Sequence, residues 1–400
     1  PRCKILDFTT KLGDGGFNFP VFRQASMSLR RIVLLLSTTL AAPAFAESCE
    51  DRGDDYARRI ELCDQSFEMA ADADAASLAL AMKGEAQRML GDYAGAAETL
   101  QHALRITPAN AWVWVELGNV RYDEGDIAGA LAHYSAALSV EDYIDAWANR
   151  AEAWWDFRMD DNCISDAGEA LRLDPQYAYA NEIMGRCLTE VDRLDEAIGY
   201  FDTAISLASG YQNAYRNKMA ALAKLGRYEE VVAVADLALA PGTVPNPNPA
   251  IEEDILSRRL LALAKYATPA ELAKESEALL QKYPDSLAAI NIKARALLAD
   301  KKAAEADQLT AAMRQDQDGQ SMQAAYYDTL AQIDLALGRL EDAFANFEAA
   351  LDLDPSLSKT YARKLSGLGF LPLSNSPEGV LTALRRCLDV KKAACTLTAD

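Results

Sequence analysis

The chain has 400 residues, is half hydrophobic, and sets 40 Lys+Arg against 60 Asp+Glu, a net charge of −20. A mean hydropathy of −0.12 excludes a multi-span membrane protein. The acidity argues against a phosphate-tracking nucleic-acid binder, which needs a basic face. Two histidines leave little room for histidine catalysis or multi-histidine metal sites.

The first 46 residues do not read as fold. Met27 opens a secretory-signal pattern: Arg30 and Arg31, the apolar run Ile32-Val33-Leu34-Leu35-Leu36, then small residues ending Ala44-Phe45-Ala46. Cleavage is expected between Ala46 and Glu47, giving an exported protein, periplasmic or secreted. The apolar run is too short to remain as a span. Glu47, close before Cys49, speaks against lipid attachment there. Residues 1–26 are read as upstream sequence.

Export fits the cysteines. Apart from Cys3 they fall in three local pairs: Cys49 with Cys63, Cys163 with Cys187, and Cys387 with Cys395. Such pairs can close as disulfides in an oxidising compartment, although spacing does not fix connectivity and buried free thiols remain the alternative. Cys49 with Cys63 is the strongest candidate, tying a leading segment to a helix over 55–71. No CxxC occurs, and zinc would need thiolates or Cys/His pairs more closely spaced.

Self-similarity dominates the middle of the chain. Gly84 and Gly118, Gly91 and Gly125, Ala96 and Ala130, and Ala103 and Ala137 are each 34 apart. A turn recurs as Gly91-Asp92-Tyr93, Gly125-Asp126-Ile127, Gly226-Arg227-Tyr228 and Gly338-Arg339-Leu340. A helix core recurs as Ala96/Leu100/Ala103, Ala130/Tyr134/Ala137, Ala197/Phe201/Ala204 and Ala343/Phe347/Ala350, and repeats close on Pro108, Pro175 and Pro355. Small residues let two antiparallel helices approach, large ones opposite fill the gap, glycine turns the chain and proline ends it. One such pair cannot bury its own apolar faces, so pairs must stack.

These residues resemble the tetratricopeptide repeat family, through Trp114-Val115-Glu116-Leu117-Gly118, Ala343 with Phe347, and Pro355. The family tyrosine after Leu-Gly is displaced, with Arg121 at its place and Tyr122 following. The resemblance implies an all-α, right-handed superhelical solenoid of antiparallel helix pairs. The expected organisation is an N-terminal helical cap over 47–75, five repeats over 76–245, about three over 246–357, and a C-terminal cap over 358–400. Within these, repeats are placed at 77–110, 111–143, 144–177, 178–211, 212–245, 253–286, 287–320 and 324–357. The proline-rich stretch 241–249 cannot be helical, and is a joint or a surface loop.

In the resembled family the first helix of each repeat lines a concave surface. That places Arg88, Trp112, Asn119, Tyr122, Glu152, Trp155, Tyr179, Glu182, Arg186 and Arg216 in a partner-binding groove. Trp112 and Trp155 are its expected aromatic anchors, whereas Trp114, Trp147 and Trp154 fall at core positions. Glu85, Asp145, Glu152 and Glu182 would favour a partly basic segment. Asn119, Asn149 and Arg216 are partly similar to the family's carboxylate-gripping set, but its lysines are missing.

Catalytic constellations do not assemble. His102 and His133 stand apart, and neither HExxH nor GxxxxGK[ST] occurs. Asp316-Gln317-Asp318-Gly319 has half a calcium loop, but the closing glutamate is replaced by Ala325. The expectation is a non-enzymatic interaction scaffold of the cell envelope. It needs no cofactor or metal, and its partners are proteins or peptides, without nucleic acid or a membrane span. The tail predicts helices over 360–368 and 380–388. It faintly resembles small peptidoglycan-binding helical modules, so a cell-wall-associated factor is the alternative.

Overall fold

The computed structural model describes residues 49, 55–244, 247–315, 323–391, 395 and 397. The expected signal peptide with its cleavage point and the 316–319 turn lie outside the described residues. No described helix is long and apolar enough to cross a membrane.

The described residues fall into two compact units, one within Pro1–Leu225 and Leu237–Asn248, the other within Gly226–Asp236 and Pro249–Asp400. The first unit opens with α1 (Tyr56–Glu68). Its helix pairs are α2 (Ala73–Met89) with α3 (Tyr93–Ile106), α4 (Ala111–Asp123) with α5 (Ile127–Val140), α6 (Ile144–Asp156) with α7 (Asp160–Leu173), and α8 (Ala178–Glu190) with α9 (Leu194–Leu207), followed by α10 (Gln212–Lys224). First helices of neighbouring pairs touch in the order α2, α4, α6, α8, α10, so one face of the unit is built from them alone.

Local chemistry explains the period. Asp92 and Asp126 cap α3 and α5, their Oδ1 atoms accepting from the N–H of Gly95 at 3.0 Å and Gly129 at 2.9 Å. The preceding Gly91 and Gly125 take φ 79° and 81°, the left-handed conformation that costs glycine least. The same turn recurs without glycine at Arg158 (φ 59°), Asp192 (φ 58°) and Lys301 (φ 62°). The turn thus persists in repeats whose signature is gone, because packing of the two helices enforces it. Gly118 serves close approach: a Cβ there would collide with the Tyr134 ring. Ala96, Leu100 and Ala103 are fully buried against Leu80, Val113 and Leu117, as the repeated Ala/Leu/Ala pattern implies.

The second unit contains most of α11 (Tyr228–Ala238), then α12 (Pro249–Leu263), α13 (Pro269–Lys282), α14 (Leu287–Ala299), α15 (Ala303–Leu309), α16 (Ala311–Gln315), α17 (Ala324–Ala336), α18 (Leu340–Leu353), α19 (Leu357–Gly367) and α20 (Pro377–Lys391). The sequence reading groups α11 with the five-repeat block. The compact units group its residues 226–236 with the helices from α12 onward, where Arg259 pairs with Asp236 at 2.7 Å and Lys265 stands 5.7 Å from the Tyr228 ring centre. Proline at the first helical position opens α12, α13 and α20, where its missing N–H costs nothing.

The repeat expected at 287–320 is interrupted in its second half. Thr310 divides α15 from α16, its hydroxyl donating to the carbonyls of Ala306 and Asp307. Arg314 of α16 then reaches the fully buried Asp334 of α17 at 2.9 Å, and Arg339 and Asn346 complete its shell at 2.6 and 2.8 Å. The tail helices are each longer than expected. They close the unit through a cluster containing Phe347, Tyr361, Leu365, Val380, Leu384 and Leu388.

The three expected cysteine pairs all stand at disulfide-bonding distance. The Cα–Cα separation is 4.7 Å between Cys49 and Cys63, 5.9 Å between Cys163 and Cys187, and 5.9 Å between Cys387 and Cys395. The first pair ties the leading segment to α1, the second joins α7 to α8, and the third fixes a residue beyond α20 to that helix. Cys63, Cys163, Cys187, Cys387 and Cys395 are fully buried, and Cys49 nearly so. Each of these buried cysteines thus has its expected partner within disulfide reach.

Candidate interaction face

The face formed by α2, α4, α6, α8 and α10 carries the residues singled out from the sequence. Helical ranks repeat from helix to helix, so Asn119, Glu152 and Arg186 hold the ninth place of α4, α6 and α8, and Tyr122 and Trp155 the twelfth of α4 and α6. Neighbouring ranks meet, and a polar ladder results.

At the N-terminal end the Arg59 guanidinium pairs with Glu85 at 2.8 Å. Arg88 is buried. It donates to Asp123 at 2.7 Å and stands 3.5 Å from Glu116. The Asn119 amide donates to Glu116 at 3.2 Å, and its carbonyl oxygen accepts from the Tyr134 hydroxyl at 2.9 Å and the Asn149 amide at 3.0 Å. Tyr122 donates to Asp156. Glu152 accepts from Arg186 at 2.7 Å and from the Tyr179 hydroxyl. Glu182, 1 % exposed, accepts from Asn217 at 2.5 Å and Tyr211 at 3.3 Å. Asp145 accepts from Tyr177 at 2.8 Å. The Arg186 guanidinium lies 4.0 Å from the Trp155 ring centre.

Burial dominates the electrostatics. It pushes the Glu116 carboxyl up to about 7; Arg88 opposes the rise, while Glu85 and Asp145 add to it. Glu182 is also raised by burial and by Glu152, against Arg186 and Asn217. Burial and the neighbouring Glu152 carboxylate hold the Tyr179 hydroxyl well above its ordinary range, so it stays a donor.

The structure therefore brings Arg88, Asn119, Tyr122, Glu152, Tyr179, Glu182 and Arg186 into one network. Trp112 is half-buried beside it, packed against the cluster of Cys49 and Cys63 with Leu78 and Met82, and Arg216 is half-buried on α10. The six paired cysteines contribute no side chain to the ladder, although the Cys49 carbonyl accepts from Arg59 Nε at 3.3 Å. Cys63 sits in the core under α1, Cys187 in the core between α8 and α7, and both act as cross-links beneath the face.

Two physical features differ from the sequence expectation. The acids Glu85, Asp145, Glu152 and Glu182 are each paired within the chain, which mutes their pull on a basic ligand. The cleft lined by Arg88, Asn119, Tyr122, Asp123, Asn149, Glu152 and Tyr179 holds only about 20 Å³, water-sized space. Sequence reasoning missed Tyr134 and Tyr177, which reach the ladder from outside the first-helix ranks, and Asp123 and Asp156, which follow the last groove rank of their helices. The recurrence of an aromatic-Asp dipeptide, Tyr122-Asp123 and Trp155-Asp156, 33 residues apart, is the signal that could have found the two aspartates. No cluster of metal-ligating side chains occurs among the described residues.

Residues 324–357, the repeat formed by α17 and α18, match the family model described as Tetratricopeptide repeat. The chain is 26% identical over 162 residues to Protein FlbA of Caulobacter vibrioides, covering 40% of this chain and 27% of that protein. It is also 26% identical over 255 residues to Hsp70-Hsp90 organizing protein 2 of Arabidopsis thaliana, covering 62% of this chain and 37% of that one. The chain thus spans between a quarter and two fifths of the length of these relatives. Among solved structures, the APC/C hetero-tetramer Cut9-Hcn1 superposes with a TM-score of 0.50 at 13% identity, over 61% of this chain and 46% of that one, a likeness of fold. Residues 324–357 thus form a tetratricopeptide repeat, and helix pairs of similar length and turn precede it.

Proposed function

We propose that the protein is an exported, non-enzymatic scaffold of the cell envelope that binds partner segments along the face built by α2, α4, α6, α8 and α10. The observation that carries this reading is the ladder itself. Its buried members are locked in mutual pairs, so the partly exposed Trp112, Tyr122 and Trp155 are presented from a rigid support at little entropic cost. The signal pattern at Met27–Ala46 and the three cysteine pairs support the oxidising, exported setting. A relative whose name describes an organiser of two chaperones is consistent with a scaffold.

The test is capture of partners from envelope extract by the wild type beside Trp112→Ala/Trp155→Ala, with circular dichroism showing equal helicity. A protein held by the wild type and lost from the double variant supports the reading. Equal capture by both moves binding away from this face. Empty eluates from both count against the scaffold, and co-sedimentation with peptidoglycan sacculi then decides for the cell-wall role.

A further inference from the structure

In the last repeat, the ranks that carry the polar ladder elsewhere are covered by the chain itself. Gln332 is the ninth residue of α17, the rank of Asn119, Glu152 and Arg186 in their helices. Its carboxamide donates to the main-chain carbonyl of Leu397. Leu335, at the twelfth rank of Tyr122 and Trp155, is 1 % exposed and shares one apolar cluster with Leu397, Val380, Leu384 and Leu388. Leu397 and Cys395 are fully buried. A backbone carbonyl received by a fixed donor, with an apolar side chain seated beside it, is how recognition surfaces hold an extended segment.

The three cysteine pairs differ in what they hold. The pair of Cys163 and Cys187 joins two helices of the stack, whereas that of Cys387 and Cys395, eight residues apart, fastens Cys395 to α20. Leu397, two residues past Cys395, belongs to the same apolar cluster as Leu335, Val380 and Leu384.

We propose that the inner face of α17 is a docking surface for an extended segment bearing a leucine-sized side chain, that the chain's own Leu397 occupies it, and that the disulfide of Cys387 with Cys395 locks it there. A tethered segment faces its site at an effective concentration on the order of millimolar, so a competing segment at micromolar concentration is excluded while the lock is closed. A dithiol opens the lock: it supplies two electrons and two protons, the S–S bond becomes two thiols, and the dithiol closes to its own cyclic disulfide. The inference rests on the reading of the fold as a segment binder. Its test needs no outside partner, so failed capture on the first unit leaves it standing.

The probe is a fluorescein-labelled peptide of residues 391–400 with Cys395→Ser, added to the full-length oxidised protein and to Cys387→Ser/Cys395→Ser, and followed by anisotropy. The serine variant is expected to bind at least tenfold more tightly than the oxidised wild type. A control peptide carrying Leu397→Asp should lose that binding, and Gln332→Ala in the serine background should weaken it several-fold. A second variant, Leu397→Asp in the protein with its cysteines intact, displaces the segment without touching the disulfide and should bind the probe like the serine variant. Equal affinity for wild type and both variants overturns the proposal. So does absence of binding to a variant that keeps wild-type helicity, and so does equal binding of probe and control peptide.

Discussion

The same helical ranks serve opposite ends in the two units. In the first, ranks nine and twelve hold Asn119, Tyr122, Glu152, Trp155 and Arg186, a row of amides, charges and aromatic rings in contact with neighbouring helices. In the second, at α17, they hold Gln332 and Leu335, and the covering group is the backbone and side chain of Leu397. A repeat fixes where a side chain points, not what meets it. Where the row of helices continues, the neighbour's matching rank becomes the partner. Where it closes, the cap and Leu397 take that place, and an apolar rank is tolerated only because something covers it.

Several measurements sharpen or break that contrast. All five tryptophans lie between Trp112 and Trp155, so their fluorescence reports the first unit alone. The largest effect is expected from Arg88→Ala, which strands Glu116 and Asp123 and should cost about 3–5 kcal/mol in urea unfolding followed by that fluorescence. A loss below about 1 kcal/mol would mean that the ladder adds little to stability.

Protonation should tune the same unit. The folded Glu116 carboxyl titrates near 7, above the 4.5 of the free group. Below about 4.5 both states are protonated and nothing is lost; as pH rises to 7 the unfolded chain ionises freely while the folded one resists, so stability falls across that window. Glu116→Gln should remove this slope and raise stability at pH 8 by about 2 kcal/mol. An unchanged slope would place the titration elsewhere.

In the second unit, Leu397→Ala should cost about 2 kcal/mol, seen as faster amide exchange in α17 and α20 with tryptophan fluorescence unmoved. If exchange does not change, the segment does not cover α17 in solution. The smallest effect should come from the turn. Lys301→Gly relieves a left-handed non-glycine residue and should add about 0.5–1 kcal/mol to the thermal stability of the second unit.

Much of the fold was legible because it is written locally. Gly91, Asp92, Ala96, Leu100 and Ala103 state a turn, a cap and a helix face within thirteen residues, and the repeat at 324–357 is bounded in the sequence as in the structure. The break at Thr310 was not legible, because it depends on Asp334 drawing in Arg314 from α16 and Arg339 from the turn before α18. At the candidate site, the first-helix residues were found by rank. The tyrosines that satisfy them, Tyr134 and Tyr177, were not, since they lie on other elements and meet their acceptors only after stacking.

The sequence by itself determined an all-helical chain of paired helices, their period and their turns, because propensity, capping and small-residue spacing act over a few residues. Only the tertiary structure decided which groove acids are neutralised, that Glu116 resists ionisation, and that Leu397 covers α17. Those outcomes depend on desolvation and on partners distant in the chain, and neither burial nor the identity of a neighbour is encoded at the position that feels it.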